Sequence, residues 1–197
     1  MSDSILPDMD LLRQHCSDEA FKTFATAAIF ERRLWWPKFG LDAITYTGLA
    51  VPLLVGGVAL SFGLKDRALP VLLWIGGVVL VTQLLLSLGA LVFAWTAKVE
   101  YYKLSMVDNY RLSRRFQELA KRGGGGLESI VALLDAENAS RTETDLRMSP
   151  SQAEKRYGMR AGLRHFQRSC AGCRLVPLSL SPGDCPICGS FPRRYAS

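Results

Sequence analysis

The chain has 197 residues, 49% of them hydrophobic, a mean hydropathy of +0.12 and a formal net charge of +6. Residues 1–150 carry 16 Lys/Arg and 16 Asp/Glu, whereas residues 151–197 carry 8 against 2, so the C-terminus supplies the whole excess and an anionic partner is expected there. With two histidines, one toward each end, no Ser/His/Asp set and no paired carboxylates in a plausible pocket, an enzyme is not expected.

The first segment, residues 1–40, reads as a cytoplasmic amphipathic helix. Ser17 with Asp18 and Glu19 is a helix start with acid near the positive end of the dipole, and Phe21, Phe24, Ala25 and Ala28 form a stripe that ends before Pro37. That stripe is expected to lie against a membrane or a neighbouring subunit. His15, Cys16 and the later His165 read as structural or incidental.

Residues 41–97 form the most informative segment. Two uncharged stretches, 43–64 and 68–97, have 22 and 30 residues and are separated only by Lys65, Asp66 and Arg67. A helix needs roughly 20 apolar residues to cross a bilayer. Both stretches suffice, which predicts a transmembrane hairpin. The first begins too late and runs too long for a cleaved signal peptide. A buried helical pair in a soluble protein is the alternative, and it requires a large polar partner to cover it. Arg32, Arg33 and Lys38 precede the hairpin and Lys98, Lys103, Arg111, Arg114 and Arg115 follow it, which places both termini in the cytoplasm. Trp35, Trp36, Tyr46, Trp74, Trp95, Tyr101 and Tyr102 fall where aromatic rings favour the headgroup layer.

Within the hairpin, Gln83 and Ser87 share one face of the second span with Ala90 and Ala94. Gln in hydrocarbon is costly unless it meets another helix or water, so these residues line either a pore or a helix contact. Gly57 and Ser61, one turn apart, offer a second close-packing surface, together with Gly48, Gly56 and Gly76. Pro52 is expected to bend the first span.

After the hairpin, neither Pro nor Gly interrupts residues 98–122, so the second helix is expected to run on as a cytoplasmic stalk with Val99, Tyr102, Met106 and Tyr110 on one face. Gly123 to Gly126 form a flexible joint; they lack the Lys-Ser/Thr ending of a phosphate-binding loop. Leu127, Ile130, Val131 and Leu134 mark a short helix that gives way to a polar linker over 137–144.

A basic helix is expected to follow, within a segment spanning 123–168. Ser149-Pro150-Ser151-Gln152 offers a cap, a first-turn proline and a capping-box glutamine, while Gly158 and Gly162 weaken the helix. Arg156, Arg160, Arg164 and Arg168 recur every four residues without interleaved acids. Such a stripe is either a solvated face or a surface for phosphate or acidic lipid, which would relieve the like-charge repulsion. Residues 169–191 then carry Cys170, Cys173, Cys185 and Cys188 as C-x2-C-x11-C-x2-C, with Gly172, Pro186 and Gly189 as turn formers. Two knuckles at this spacing aim four thiolates at one tetrahedral ion, and Zn2+ in a closed structural site is the expected metal. Disulfides are the alternative, disfavoured on a reducing side of the membrane. The soluble segments are too short to bury a conventional core alone, so metal or oligomerisation is expected to help.

A cytoplasmic helix, a two-helix hairpin, an extended helix and this terminal cysteine spacing together resemble the bacterial mobile-element family named for the C-x2-C-x11-C-x2-C pattern, whose membrane part is similar to the SLATT domain. Cys170, Cys173, Cys185 and Cys188 match the pattern, and the hairpin is similar in layout alone. The expected fold is mainly α: a transmembrane hairpin, cytoplasmic helices and a small C-terminal zinc ribbon. The resemblance implies an effector of antiphage or mobile-element conflict that sits in the bacterial inner membrane, homo-oligomerises and permeabilises the bilayer when a nucleotide or infection signal arrives. No sensor domain is expected within these 197 residues, so a sensor protein or the basic C-terminal region would have to receive that signal. The alternative is a non-conducting anchor that presents the basic zinc ribbon to nucleic acid or a protein partner.

Overall fold

In a computed structural model, residues 6–62, 69–122 and 126–195 are described, as five α-helices and a terminal 3-10 turn with no strand among them. The helices are α1 (Leu6–Phe62), α2 (Leu69–Val92), α3 (Trp95–Lys121), α4 (Leu127–Leu146) and α5 (Gln152–His165), followed by the turn Arg193–Tyr195. The expected charged turn of Lys65, Asp66 and Arg67 and the glycine joint at 123–125 lie outside the described residues.

Helix α1 departs from expectation at both ends of its N-terminal segment. It begins at Leu6 rather than at Ser17, because Met9 and Leu12 pack on the core and extend it. Ser17 and Asp18 do not cap it; they accept from Arg168 at 2.5 and 2.7 Å. Nor does α1 stop before Pro37, since it continues through Pro37 and Pro52. A proline deletes one helical hydrogen bond but does not forbid continuation where both sides are held by packing. Here Ile29 and Phe30 are buried on one side, and on the other Gly40 lies against the Trp95 ring, which a Cβ there would meet at 2.6 Å.

The second long helix, unlike α1, is interrupted. α2 and α3 are separated at Phe93–Ala94, where Ala94 takes a left-handed φ of 50° and its N–H turns back to the Leu91 carbonyl at 3.0 Å. A positive φ is unfavourable for Ala. With neither Gly nor Pro at the break, the sequence carried no sign of it.

The chain divides into two compact units, one formed by Met1–Arg33 and Tyr102–Ser197 and the other by Leu34–Tyr101. In the first, Cys16 and Ala20 of α1 meet Leu112, Phe116 and Leu119 of α3 and Leu127, Val131 and Leu134 of α4. Three helices therefore share an apolar core, of the kind that a single small segment does not build alone. The expected linker 137–144 belongs to α4. Its polar residues face neighbours: Asn138 donates to Glu19 at 2.9 Å, and Arg141 pairs with Asp108 at 3.1 Å. Buried Asp145 accepts from Ser105 at 2.8 Å and from Asn109 at 2.7 Å. Polarity here marks a hydrogen-bonded interior network rather than a loop.

The α1 stripe is also covered by the protein itself. Ala28 is buried with Tyr157, Ala161 and Phe191, and Phe24 packs beside them. Gly158 and Gly162 explain the closeness: a Cβ at Gly158 would meet the Ala25 carbonyl oxygen at 2.6 Å, and one at Gly162 the Phe21 ring at 2.9 Å. The two glycines seat α5 on α1 instead of merely weakening it.

In the second unit, α1 and α2 meet at Gly48 beside the Gln83 amide and at Gly76 beside Val55. Most of the remaining apolar surface is open, with Leu53, Leu84 and Leu91 each more than 60% exposed. Two helices are long and apolar enough to span a membrane.

Candidate metal centre

The metal module is positioned from α5 upward. Ser151 is the N-cap of α5 and forms a capping box with Glu154; Pro150 precedes the cap instead of occupying the first turn, and Glu154 takes the role expected of Gln152. Glu154 also receives Arg33 in a two-pronged pair at 2.6 and 2.8 Å, while Arg33 donates to the Met148 carbonyl at 2.8 Å. Burial alone would raise the Glu154 carboxyl, but hydrogen bonds from Arg33 and from Ser151 outweigh it and hold it at about 2. A carboxylate with a depressed pKa contributes stability that is complete above its unfolded value and is lost as pH falls through the folded one. Acid titration of wild-type protein should therefore show a loss between pH 4.5 and about 2. Glu154→Gln should remove about 1–2 kcal/mol of stability at neutral pH after allowance for solvent screening, and should flatten that acid step.

Beyond α5, each cysteine pair sits on a tight turn. The Arg174 N–H returns to the Cys170 carbonyl and the Gly189 N–H to that of Cys185, both at 2.8 Å. The Gly172 N–H points at Cys170 Sγ at 3.4 Å. Gly189 has no room for a side chain, because a Cβ would meet the Gly183 carbonyl oxygen at 2.6 Å. These turns bring the four sulfurs within 4.8 Å of one another, with Cys170–Cys185 and Cys173–Cys188 each 3.9 Å apart. A tetrahedral ion with metal–sulfur bonds of about 2.3 Å requires sulfurs about 3.8 Å apart. The donor set fits such an ion. No disulfide links the five cysteines.

The electrostatics of the turns favour a thiolate. Backbone N–H groups of Cys188 and Ile187 draw the Cys185 thiol down to about 6. Cys188 is pushed up, by burial first and then by the neighbouring thiols. A bound cation reverses that second effect, since a coordinated thiol is deprotonated. Cys170 and Cys188 are buried against Leu163, with Phe21 and Met159 packed around them, so α1 and α5 floor the centre.

The basic stripe has a different arrangement from the uniform face the sequence suggested. Arg156 donates to the Ser190 carbonyl at 3.0 Å, and Arg160 to those of Ser179 at 2.8 Å and Cys188 at 3.5 Å. Both thereby tie α5 to the cysteine loops. Arg168 lies beyond the end of α5, pairs with Asp18, and stands over the Phe21 ring at 5.5 Å. Arg164 is exposed and, among the described residues, its guanidinium has no ion-pair partner. The residues that sequence reasoning missed are Arg33 and Glu154. Only the Ser151-x-x-Glu154 spacing could have signalled them.

In the second unit, Gln83 donates to the Ile44 carbonyl at 3.2 Å, and its Oε1 is buried without a hydrogen-bond partner. Gln83 and Ser87 line one groove with Gly48 and Leu91. Gly57 and Ser61 are exposed, and a Cβ at Gly57 would meet nothing within 4 Å. His15 bonds Asp135 at 3.0 Å, His165 stacks on Phe24 at 4.0 Å and Cys16 belongs to the helical core, so none of the three is placed at the metal centre.

No curated protein and no solved structure matches the chain. A family profile described as "Mobilome CxxCx(11)CxxC protein" matches residues 13–191. That match covers the three-helix core, the membrane-length helices and all four clustered cysteines, and the chain belongs to this mobilome CxxCx(11)CxxC family.

Proposed function

We propose that the protein is a membrane effector that self-associates in the bacterial inner membrane and permeabilises it in mobile-element or antiphage conflict, with a structural zinc site stiffening its soluble unit. The observation that carries this reading is the buried Gln83 Oε1 without a partner, in a groove of apolar helices. An unsatisfied amide oxygen is costly in hydrocarbon, and a shift of the α1–α2 contact that exposes it to a second copy or a water-filled path would satisfy it. A hairpin is consistent with the topology: the segments on both sides of residues 34–101 fold into one unit, as they would in a chain that enters the bilayer and returns. The Lys and Arg flanks favour the cytoplasmic side for that unit. Zinc is favoured over other metals by four thiolates in a closed tetrahedral set.

The second reading is a non-conducting anchor that presents the basic metal module to nucleic acid or a protein. It is favoured by the bond from Gln83 to Ile44, which already occupies half of the Gln83 amide within the hairpin. Gln83→Leu separates the two. As an effector, the variant loses about 1 kcal/mol per contact, roughly a fivefold drop in self-association, and depolarises overexpressing cells less than wild type. As an anchor, it inserts and behaves as wild type.

A further inference from the structure

Of the four arginines in the basic stripe, three are engaged with internal acceptors, and the one that is not borders a cleft. This cleft has a volume of about 400 Å³ and is lined by Phe24, Ala28 and Glu31 of α1, Tyr110 of α3, Tyr157, Ala161, Arg164 and His165 of α5, and by Gln167 and Leu180. Its volume falls in the range of small-molecule sites, roughly 300–1,000 Å³. The lining is chemically divided. Phe24 stacks on His165 at 4.0 Å and meets Tyr110 edge-on at 5.3 Å, which gives an aromatic wall. Glu31 supplies a carboxylate, and its Oε2 accepts the Tyr110 hydroxyl at 2.5 Å. Burial first, and then Glu31, push the Tyr110 phenol upward, so it remains a donor at neutral pH and leaves Glu31 Oε1 available to a ligand. Gln167 donates to the Arg164 carbonyl at 2.6 Å, and its Oε1 keeps its acceptor capacity.

We propose that this cleft binds a mononucleotide-sized ligand, with a planar ring against the aromatic wall, ring amino groups on Glu31 and Gln167, and a phosphate on Arg164. Each part of the ligand matches a part of the lining: rings stack on rings, an amine meets acidic and amide acceptors, and a guanidinium pairs with phosphate in a forked bond. A lone inorganic anion would use only Arg164, and a purely aromatic ligand would leave Arg164 and Glu31 unmatched. The site deepens the effector reading by giving the soluble unit a place for a trigger. Its test is a binding measurement, so its failure leaves the membrane step untouched.

The test is calorimetry of the full-length protein in detergent with AMP, GMP, CMP and UMP as probes, alongside inorganic phosphate. At least one nucleotide should bind more tightly than phosphate. Arg164→Gln should weaken it by about tenfold or more, as loss of a charge-assisted pair predicts. Lys155→Gln removes an equal charge from α5 outside the cleft and should leave affinity unchanged; Glu31→Gln should change the order of preference among the four bases. The proposal is overturned if no nucleotide binds, if phosphate binds as well as every nucleotide, or if Lys155→Gln and Arg164→Gln weaken binding equally.

Discussion

Purified Cys185→Ser/Cys188→Ser protein is expected to contain no metal, where the wild-type chain holds about one ion. The free energy of ion binding in small four-ligand modules is on the order of 10 kcal/mol or more, comparable to the stability of a whole domain. Little else secures residues 169–191. Beyond Phe191 against Tyr157, their attachment consists mainly of Arg156 and Arg160 reaching loop carbonyls and of the buried cysteines themselves. Loss of the ion should therefore unfold the two knuckles while the core of α1, α3 and α4 persists, because that core shares no residue with the module. Elemental analysis and amide hydrogen exchange check this, with exchange accelerated across residues 169–191 and unchanged around Leu112 and Phe116. Retained metal, or knuckle amides that stay protected, would contradict the assignment.

The second large effect is expected at Gly158. Leucine there must displace the Ala25 carbonyl, which belongs to the α1 backbone and cannot swing aside. Overpacking of this kind costs about 1–3 kcal/mol, and here the clash is with backbone, so the upper end is expected. Alanine decides the mechanism more finely. Gly→Ala in a helix gains up to about 1 kcal/mol from propensity. At Gly162 the obstructing atoms are the end of the Phe21 ring, which can shift, so Gly162→Ala should be nearly neutral. At Gly158 the clash should outweigh the gain, and Gly158→Ala should lower the melting temperature. Equal behaviour of the two alanine variants would show that α5 is not seated on α1 through these positions.

Much of the metal centre was legible because cysteine spacing is a local code: two residues between ligands fix a knuckle wherever it is placed. The membrane-length helices were legible for a similar reason, since length and absence of charge suffice. What escaped was tertiary. Ser17 and Asp18 looked like a cap because the local chain cannot show that Arg168, some 150 positions later, binds them instead. Residues 137–144 looked like a linker because a polar run reads as solvent-facing, whereas the interior of this unit has its own acceptors and donors around Asp145. The Arg156 to Arg168 stripe looked uniform because periodicity records which face a residue occupies, not what opposes it. Ala94 gave no signal at all, as no residue at the break is one that favours a positive φ.

The most direct test of the proposed membrane role is release of an entrapped dye from liposomes of bacterial lipid into which the purified protein has been reconstituted, with Gln83→Leu as the paired control. The effector account predicts dye release by the wild-type protein that rises more steeply than linearly with protein-to-lipid ratio, as self-association requires, and a several-fold smaller release by the variant at equal insertion. Wild-type protein that inserts fully yet releases no dye at any ratio, with or without added nucleotide, would contradict it.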